Sequence, residues 1–517
     1  MTSSQIGGGV ILLVQTLAWV AWFGLCVATV VRARKRLWSE DGAALVALTI
    51  GALALRLAAP AVQHDVNPRL GEVFTPWSSL GWSYTHGLVA LMRALWATGL
   101  PIDDQAVFHV VAVLGALTAP IAAVLTTRLG GGRAAAAAAG IVVAGLGVHV
   151  RYSHTDAPQI VEGLLTMVGA VALAGDPTRR RRLDGALAAL SLALAACMRP
   201  EALAIPALIL LWAWVAGLGV SARQAGAVVA ATALVALPDM LGVVLAGGGP
   251  GGRGAGLDHG HGALLFGVRH FVLWNNAFVP TALGLLPLLA PWGRAPALRS
   301  LATFALMLAL GSLVGNAIWS IGDTGSWCLA RHQLRVLPWM AVLLGLGLEA
   351  LTDAARGWIP LFQRQVLPGL ALIGVAWTTR GTLRDAYAPF TLSDEYTFVR
   401  ASLPMLPADC AIISLRLDGD RGLALPVGLP GVGDSREWIG LDADLTGRAC
   451  VIYYRSAQCA VLGPSEADPG DRCAAFESAW TLTPIAERQI VARGWLWEHY
   501  TTPTLRVGTY RVGAAKP

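Results

Sequence analysis

The sequence predicts an α-helical polytopic membrane protein of about twelve transmembrane helices, followed by a mixed α/β domain on the outer face. Three observations carry this prediction. The chain is 55% hydrophobic and only 14% charged, against about 25% charged in soluble domains. Apolar stretches of about 20 residues, long enough to cross a hydrocarbon core, recur through residues 1–380. Residues 381–517 contain no such run and hold 16 of the 32 acids, which marks a boundary between a membrane domain (1–380) and a soluble one (381–517).

The arginines behind the net charge of +6 sit in short tracts between apolar runs. Such tracts encode membrane topology, so no nucleic-acid partner is implied. Met1 to Gly9 carries no basic side chain, and no small-residue cleavage site precedes the first basic cluster. The first span is therefore expected to stay as an anchor.

That span, 10–31, ends in Arg32, Arg34, Lys35 and Arg36, which places this end inside. Span two (42–61) runs outward and delivers His64 and Asp65 to the outer face. Span three (106–127) returns to Arg128 and Arg133, span four (134–150) goes out, and span five (158–174) returns to Arg179–Arg182. Span six (184–197) leads out to Arg199, and span seven (202–218) returns to Arg223. Span eight (225–246) opens into an outer glycine-rich loop. Spans nine (276–292), ten (301–320), eleven (337–351) and twelve (366–379) continue the alternation and leave the C-terminal domain outside. All ten histidines then fall on or near the outer side. Outer-face loops are expected at 62–105 and 247–275, the first holding an amphipathic interfacial helix within 74–98.

Four of the seven cysteines, Cys410, Cys450, Cys459 and Cys473, lie in the C-terminal region. An oxidising outer compartment favours disulfides, and four cysteines allow three pairings. Cys410 and Cys450 each open a strand-like run, CAIISL and CVIYY, so Cys410–Cys450 with Cys459–Cys473 is the preferred pairing; four free thiols are the alternative. Ser393 caps a helix, SDEYTFVRASL, and LRVGTYRV reads as a third strand.

Polar residues that could do chemistry gather in five outer segments: His64–Asp65, RYSHTD (151–156), MRPEA (198–202), DHGH (258–261) and ARHQLR (330–335). Asp65 is either a solvated loop acid or a general base. Arg56 lies about two turns before it. His154 and Asp156 sit in a very short loop that holds them at the membrane surface. Arg331, His332 and Arg335 fall where the positive-inside rule expects few cations, which suits an anion such as phosphate. Arg199 is read either as a phosphate ligand or as a local ion pair with Glu201. No cofactor is implied beyond a divalent metal. For that metal only His259 and His261 offer ligands, fewer than a structural zinc needs. Asp239, after Pro238 inside span eight, is an intramembrane carboxylate read as capping the proline kink. No P-loop, GxSxG, HExxH or dinucleotide motif appears in a supporting context.

These pieces resemble a family. A span ending LALRL, an outer His-Asp pair and an interfacial helix look like the opening of the GT-C class of polytopic lipid-phosphate-sugar glycosyltransferases, such as protein mannosyltransferases and aminoarabinose transferases of lipid A. AAAAAAGIVVAGLGVHVRYSHTDAPQIVEGLLTMVGAVAL is similar to their third-to-fifth-span region. ARHQLRVLPWMAVLLGLGLEAL is similar to their late RY-x-L-x-x-x-P segment, with Arg331-His332 in place of Arg-Tyr. The resemblance covers residues 42–352. Two features depart from it: Val66 stands where the family often has a second acid, and the N-terminal span is extra.

The resemblance implies a bacterial inner-membrane enzyme moving a sugar from a polyprenyl-phosphate donor to an envelope glycan, lipid or protein, with inversion. Asp65 would take the acceptor proton. His64, Arg56, His154, Asp156, Arg199, Arg331, His332 and Arg335 would bind substrate or its phosphate. A polysaccharide polymerase or ligase, or a polytopic transporter, is the alternative. A transporter of this size usually shows repeated halves, which this chain lacks.

Overall fold

In the computed structural model the described residues are 3–37, 40–61, 85–100, 104–174, 182–245, 334–356, single positions between 369 and 387, 391–415, 438–460, 469–492 and 502–516. Spans nine and ten, most of span twelve and the 247–275 loop lie outside them.

The first two spans form α1 (Ser3–Leu37) and α2 (Glu40–Ala58). A shorter helix, α3 (Gly87–Trp96), precedes α4 (Asp104–Arg128). The fourth span is two helices, α5 (Arg133–Gly145) and α6 (Gly147–Ser153), bent by 56° at Leu146. Then come α7 (Pro158–Leu173), α8 (Arg182–Ala196), a 3-10 turn (Pro200–Ala204) and α9 (Ile205–Val215). Span eight is also divided, into α10 (Ala222–Val235), opened by a Ser221–Gln224 capping box, and α11 (Leu237–Leu245). The eleventh span is α12 (Leu337–Arg356). Among the described residues α1, α2, α4 and α10 with α11 taken as one are long and apolar enough to cross a membrane, and α5 with α6 makes a fifth if the bent pair is one span.

Small residues let these helices approach closely, as lipid-embedded packing requires. A Cβ on Gly87 would lie 2.5 Å from the Cys197 carbonyl oxygen, and one on Gly115 of α4 would collide with Ser153. The first contact corrects an expectation. α3 was read as part of a helix lying in the interface, yet Val89 to Ala94 are buried. It packs inside the bundle against α1, its entry fixed by a bond from Trp19 Nε1 to the Gly87 carbonyl (3.1 Å).

The C-terminal region builds α13 (Thr391–Ser402), β1 (Ala411–Ser414), β2 (Trp438–Gly440), β3 (Val451–Arg455), α14 (Pro469–Ala479), β4 (Trp480–Val491) and β5 (Thr504–Ala515). The sheet order is β2-β1-β3-β5-β4. β1 runs parallel to β2 and β3, while β5 is antiparallel to β3 and β4. Alternate strand residues feed two cores. Ile412, Ile452 and Tyr454 pack with Phe398 and Val399 of α13, and Ile413 and Tyr453 pack with Phe476 of α14. Burial on both faces explains why CAIISL and CVIYY read as continuous apolar runs. Cys410–Cys450 joins the starts of neighbouring parallel strands (Cα–Cα 4.6 Å), and Cys459–Cys473 ties β3's exit to α14 (5.7 Å). This is the preferred pairing. The two regions touch where Tyr396 of α13 meets Phe108 of α4 (ring centroids 5.8 Å) and Tyr387 donates to the Leu55 carbonyl (2.7 Å).

Candidate active site

The centre of the candidate site is the break between α5 and α6. Leu146 is extended (φ −69°, ψ 107°), so α5 ends within the apolar zone. A helix end leaves carbonyls without partners, and no water is available in lipid to satisfy them. Arg56 of α2 meets this need. Its Nη2 donates to the Val143 carbonyl (3.0 Å) and its Nη1 to the Ala144 carbonyl (3.3 Å) and to Ala52 in its own helix (2.9 Å). Its Nε donates to Ser153 Oγ (3.2 Å), and Nη2 also donates to His149 Nδ1 (2.9 Å). The guanidinium is fully buried. Because arginine only donates, His149 Nδ1 is the acceptor, and a neutral His149 carries its hydrogen on Nε2.

The RYSHTD segment finishes α6 and turns into α7. Thr155 Oγ1 donates to the Tyr152 carbonyl (2.6 Å) and accepts from the Ala157 N–H (3.1 Å), and Pro158 opens α7 at a position that needs no donor. His154 Nδ1 donates to the Ala59 carbonyl (2.6 Å), and Arg151 Nη1 to that of Pro60 (3.4 Å). The chain leaving α2 toward His64 and Asp65 is thus held by this turn. Since Ala59 supplies only an acceptor, neutral His154 keeps a lone pair on Nε2, which is buried with no hydrogen-bond partner. The ring of His109, exposed on α4, lies 5.3 Å from that of His154. Asp156 is buried beside it in the turn.

One turn into α7, the buried carboxylate of Glu162 pairs with Arg335 (3.3 Å), just before α12. Gln159, three residues earlier on α7 and wholly buried, has no hydrogen-bond partner at either amide atom among the described residues.

Of the expected site residues, the structure brings Arg56 and His154 into one cluster, sets Asp156 in the same turn, and holds Arg335 in the turn before α12. Arg199 is buried at the start of the 3-10 turn. Asp65, His64, Arg331, His332, His259 and His261 lie outside the described residues, as does the side chain of Glu201. Sequence reading missed Glu162, Gln159 and His149. Glu162 could have been found, because a carboxylate inside an apolar span is a functional signal by itself. The Asp239 expectation needs correction. Its carboxylate reaches another helix: Oδ2 accepts from the His86 backbone N–H (2.8 Å) and from Gln15 Nε2 (2.9 Å), and Oδ1 pairs with His86 Nδ1 (2.7 Å). It therefore caps α3 and ties α1, α3 and α11 together, leaving the Pro238 kink to itself. Among the described residues no group of three or more metal-ligating side chains comes together.

No protein-family model and no curated protein matches the chain. Solved structures do. ArnT from Cupriavidus metallidurans, in its apo state, aligns with a TM-score of 0.57 at 13% identity, over 92% of this chain and 98% of that one. The same protein bound to undecaprenyl phosphate aligns with the same score at 14% identity. The apo oligosaccharyltransferase of Archaeoglobus fulgidus aligns at 0.50 and 12% identity, over 86% of this chain and 70% of that one. The chain shares the fold of these membrane glycosyltransferases, the GT-C class that its sequence resembles.

Proposed function

We propose that this protein is a bacterial inner-membrane glycosyltransferase that moves a sugar from a polyprenyl-phosphate donor to an envelope acceptor. The membrane domain is 1–380, with about twelve spans, and the domain 381–517 is extracytoplasmic. The observation that carries the reading is the 151–156 turn seated on Ala59 and Pro60, within a fold shared with a protein that binds undecaprenyl phosphate. Asp65 is five residues past Pro60, so covalent geometry alone keeps it within about 18 Å of that turn's anchor.

In this reading Asp65 takes the proton from an acceptor hydroxyl. The hydroxyl oxygen bonds to the anomeric carbon from the side opposite the phosphate. The bond from that carbon to the phosphate oxygen breaks, and the lipid phosphate leaves with the electron pair, inverting the carbon. Arg335, oriented by Glu162, stabilises the departing phosphate with Arg331 and Arg199. His154, Asp156, His64 and His332 contact the sugar or phosphate. The role of Arg56 is positional, since its donors are committed to the helix break. His259 and His261 remain the candidates for a divalent metal.

The test is mass spectrometry of envelope glycans, lipids and proteins from a deletion strain complemented with wild type or Asp65→Asn. The expected result is loss of one sugar on deletion, restored by wild type only, with both proteins equally abundant. Full restoration by Asp65→Asn removes Asp65 from the base role. No change on deletion favours the transporter reading.

A further inference from the structure

A cleft of about 730 Å³ opens between the membrane helices and α13. Pro60, Ala61 and Gln105 line its floor, and Asp394, Thr397 and Arg400 its roof. The roof residues recur at spacings of three on one face of α13. That helix turns its apolar face, Phe398 and Val399, into the sheet domain's core and its polar face toward the membrane domain. Tyr396 closes one end. Its hydroxyl accepts from Gln105 Nε2 (3.1 Å) and Arg400 Nη1 (3.2 Å), so floor and roof are held together across the cleft. His109 stands one turn beyond Gln105 on α4 and touches His154, which makes the floor continuous with the 151–156 turn.

The lining states what fits. Asp394 only accepts hydrogen bonds at neutral pH, Arg400 only donates, and Gln105 does both. A phosphate group accepts only and would be repelled by Asp394. An ammonium donates only and would be repelled by Arg400. A hydroxyl donates and accepts, and several together satisfy the mixed set. Among the described residues no long aliphatic side chain lines the cleft. The volume is within the usual range for small-ligand sites, about 300–1,000 Å³.

We propose that this cleft is the acceptor subsite and that the acceptor is a neutral, hydroxyl-rich glycan. The proposal rests on the glycosyltransferase reading and narrows its acceptor from three classes to one.

The experiment uses membranes of the deletion strain carrying full-length wild type, Asp394→Ala, Arg400→Ala, Asp394→Glu or Thr397→Val. The glycan fraction extracted from the same strain is titrated as acceptor against native donor lipid. The expected result is a rise in KM for the glycan fraction of about tenfold or more in Asp394→Ala and Arg400→Ala, as for a lost hydrogen bond to a charged group. KM for donor lipid should stay unchanged, and Asp394→Glu should recover part of the loss. Thr397 is exposed and changes little in the fold, so Thr397→Val should raise KM by a smaller factor without altering thermal stability. An unchanged glycan KM in both alanine variants overturns the proposal, as does a sugar missing from the lipid or protein fraction of the deletion strain while glycans are intact. If deletion changes none of the three fractions, the transferase reading itself falls.

Discussion

The helical region and the C-terminal sheet domain both bury charged groups, but they satisfy them differently. In the sheet domain the partners lie 22 to 62 residues apart in sequence. Glu477 receives Tyr453 (3.0 Å) and Arg455 (2.7 Å), and Glu395 receives Tyr454 and the Ala457 N–H. Two disulfides then hold the strands and α14 in place. In the helical region the buried ionic groups reach across long stretches of chain: Arg56 to Val143 and His149, His86 to Asp239, and Glu162 to Arg335. These contacts fix which helices are neighbours, and they leave His154 Nε2 and both amide atoms of Gln159 unsatisfied among the described residues. Unpaired buried polar atoms cost about 1–3 kcal/mol each. The sheet domain carries the same cost at Glu395 Oε2 and Thr509 Oγ1, so what separates the two regions is the reach of their buried ionic contacts.

The comparison breaks most visibly at Arg56. Arg56→Leu leaves two helix-end carbonyls and His149 without their donor. Each buried acceptor left without its donor costs about 1–3 kcal/mol, and apolar surroundings offer no water as a substitute. The expected outcome in detergent is a sharply lowered thermal midpoint and loss of sugar transfer, while Arg56→Lys, with fewer donors, recovers only part of either. A stable, active Arg56→Leu would remove the helix-break role.

Asp239→Ala should come next. It strips His86, its backbone N–H and Gln15 of their common acceptor, at a cost of about 3–5 kcal/mol. Asp239→Asn keeps one acceptor oxygen and should cost less. Unfolding of the purified protein measures both, and equal midpoints for the two variants would mean that the retained acceptor oxygen contributes nothing.

In the sheet domain the disulfides set the scale. Their closed loops span sequence separations of 40 and 14 residues. Loop entropy makes the longer one worth more, with each in the range of about 2–4 kcal/mol. Cys410→Ala/Cys450→Ala should therefore lower stability more than Cys459→Ala/Cys473→Ala, and reducing agent should reproduce the sum. The reverse order would point to geometry over chain entropy.

The smallest effect is a pH dependence. Burial raises the Glu395 carboxyl above the ordinary carboxylate value, outweighing its bonds from Tyr454 and Ala457. A pKa raised on folding adds stability that is fully present below the unfolded value, near 4.5, and is lost as pH rises through the folded value. The sheet domain should weaken over that window, and Glu395→Gln should flatten the profile. A profile that stays as steep in the variant assigns the effect elsewhere.

Much of the architecture was legible in the chain. Apolar runs marked α2, α4, α7 and α8 within about three residues, because a hydrocarbon core demands length and composition that nothing else in the sequence imitates. α1 runs past its expected span at both ends and α12 past its expected end. Cys410 and Cys450 announced their pairing by each opening a buried strand. What the linear pattern did not contain is where a span breaks. AAAAAAGIVVAGLGVHV is apolar but for His149, and its interruption at Leu146 holds only because Arg56, more than eighty residues earlier, satisfies the freed carbonyls. Likewise α3 falls in the stretch read as an amphipathic interfacial helix, yet Asp239 and Trp19 hold its N-terminus inside the bundle. β4, with Pro484 and its charges, carries no alternating apolar pattern and forms by pairing with β5. Hydropathy and charge act locally and are written residue by residue. The partners of a buried charge are chosen by helix packing, so only the tertiary structure decided them.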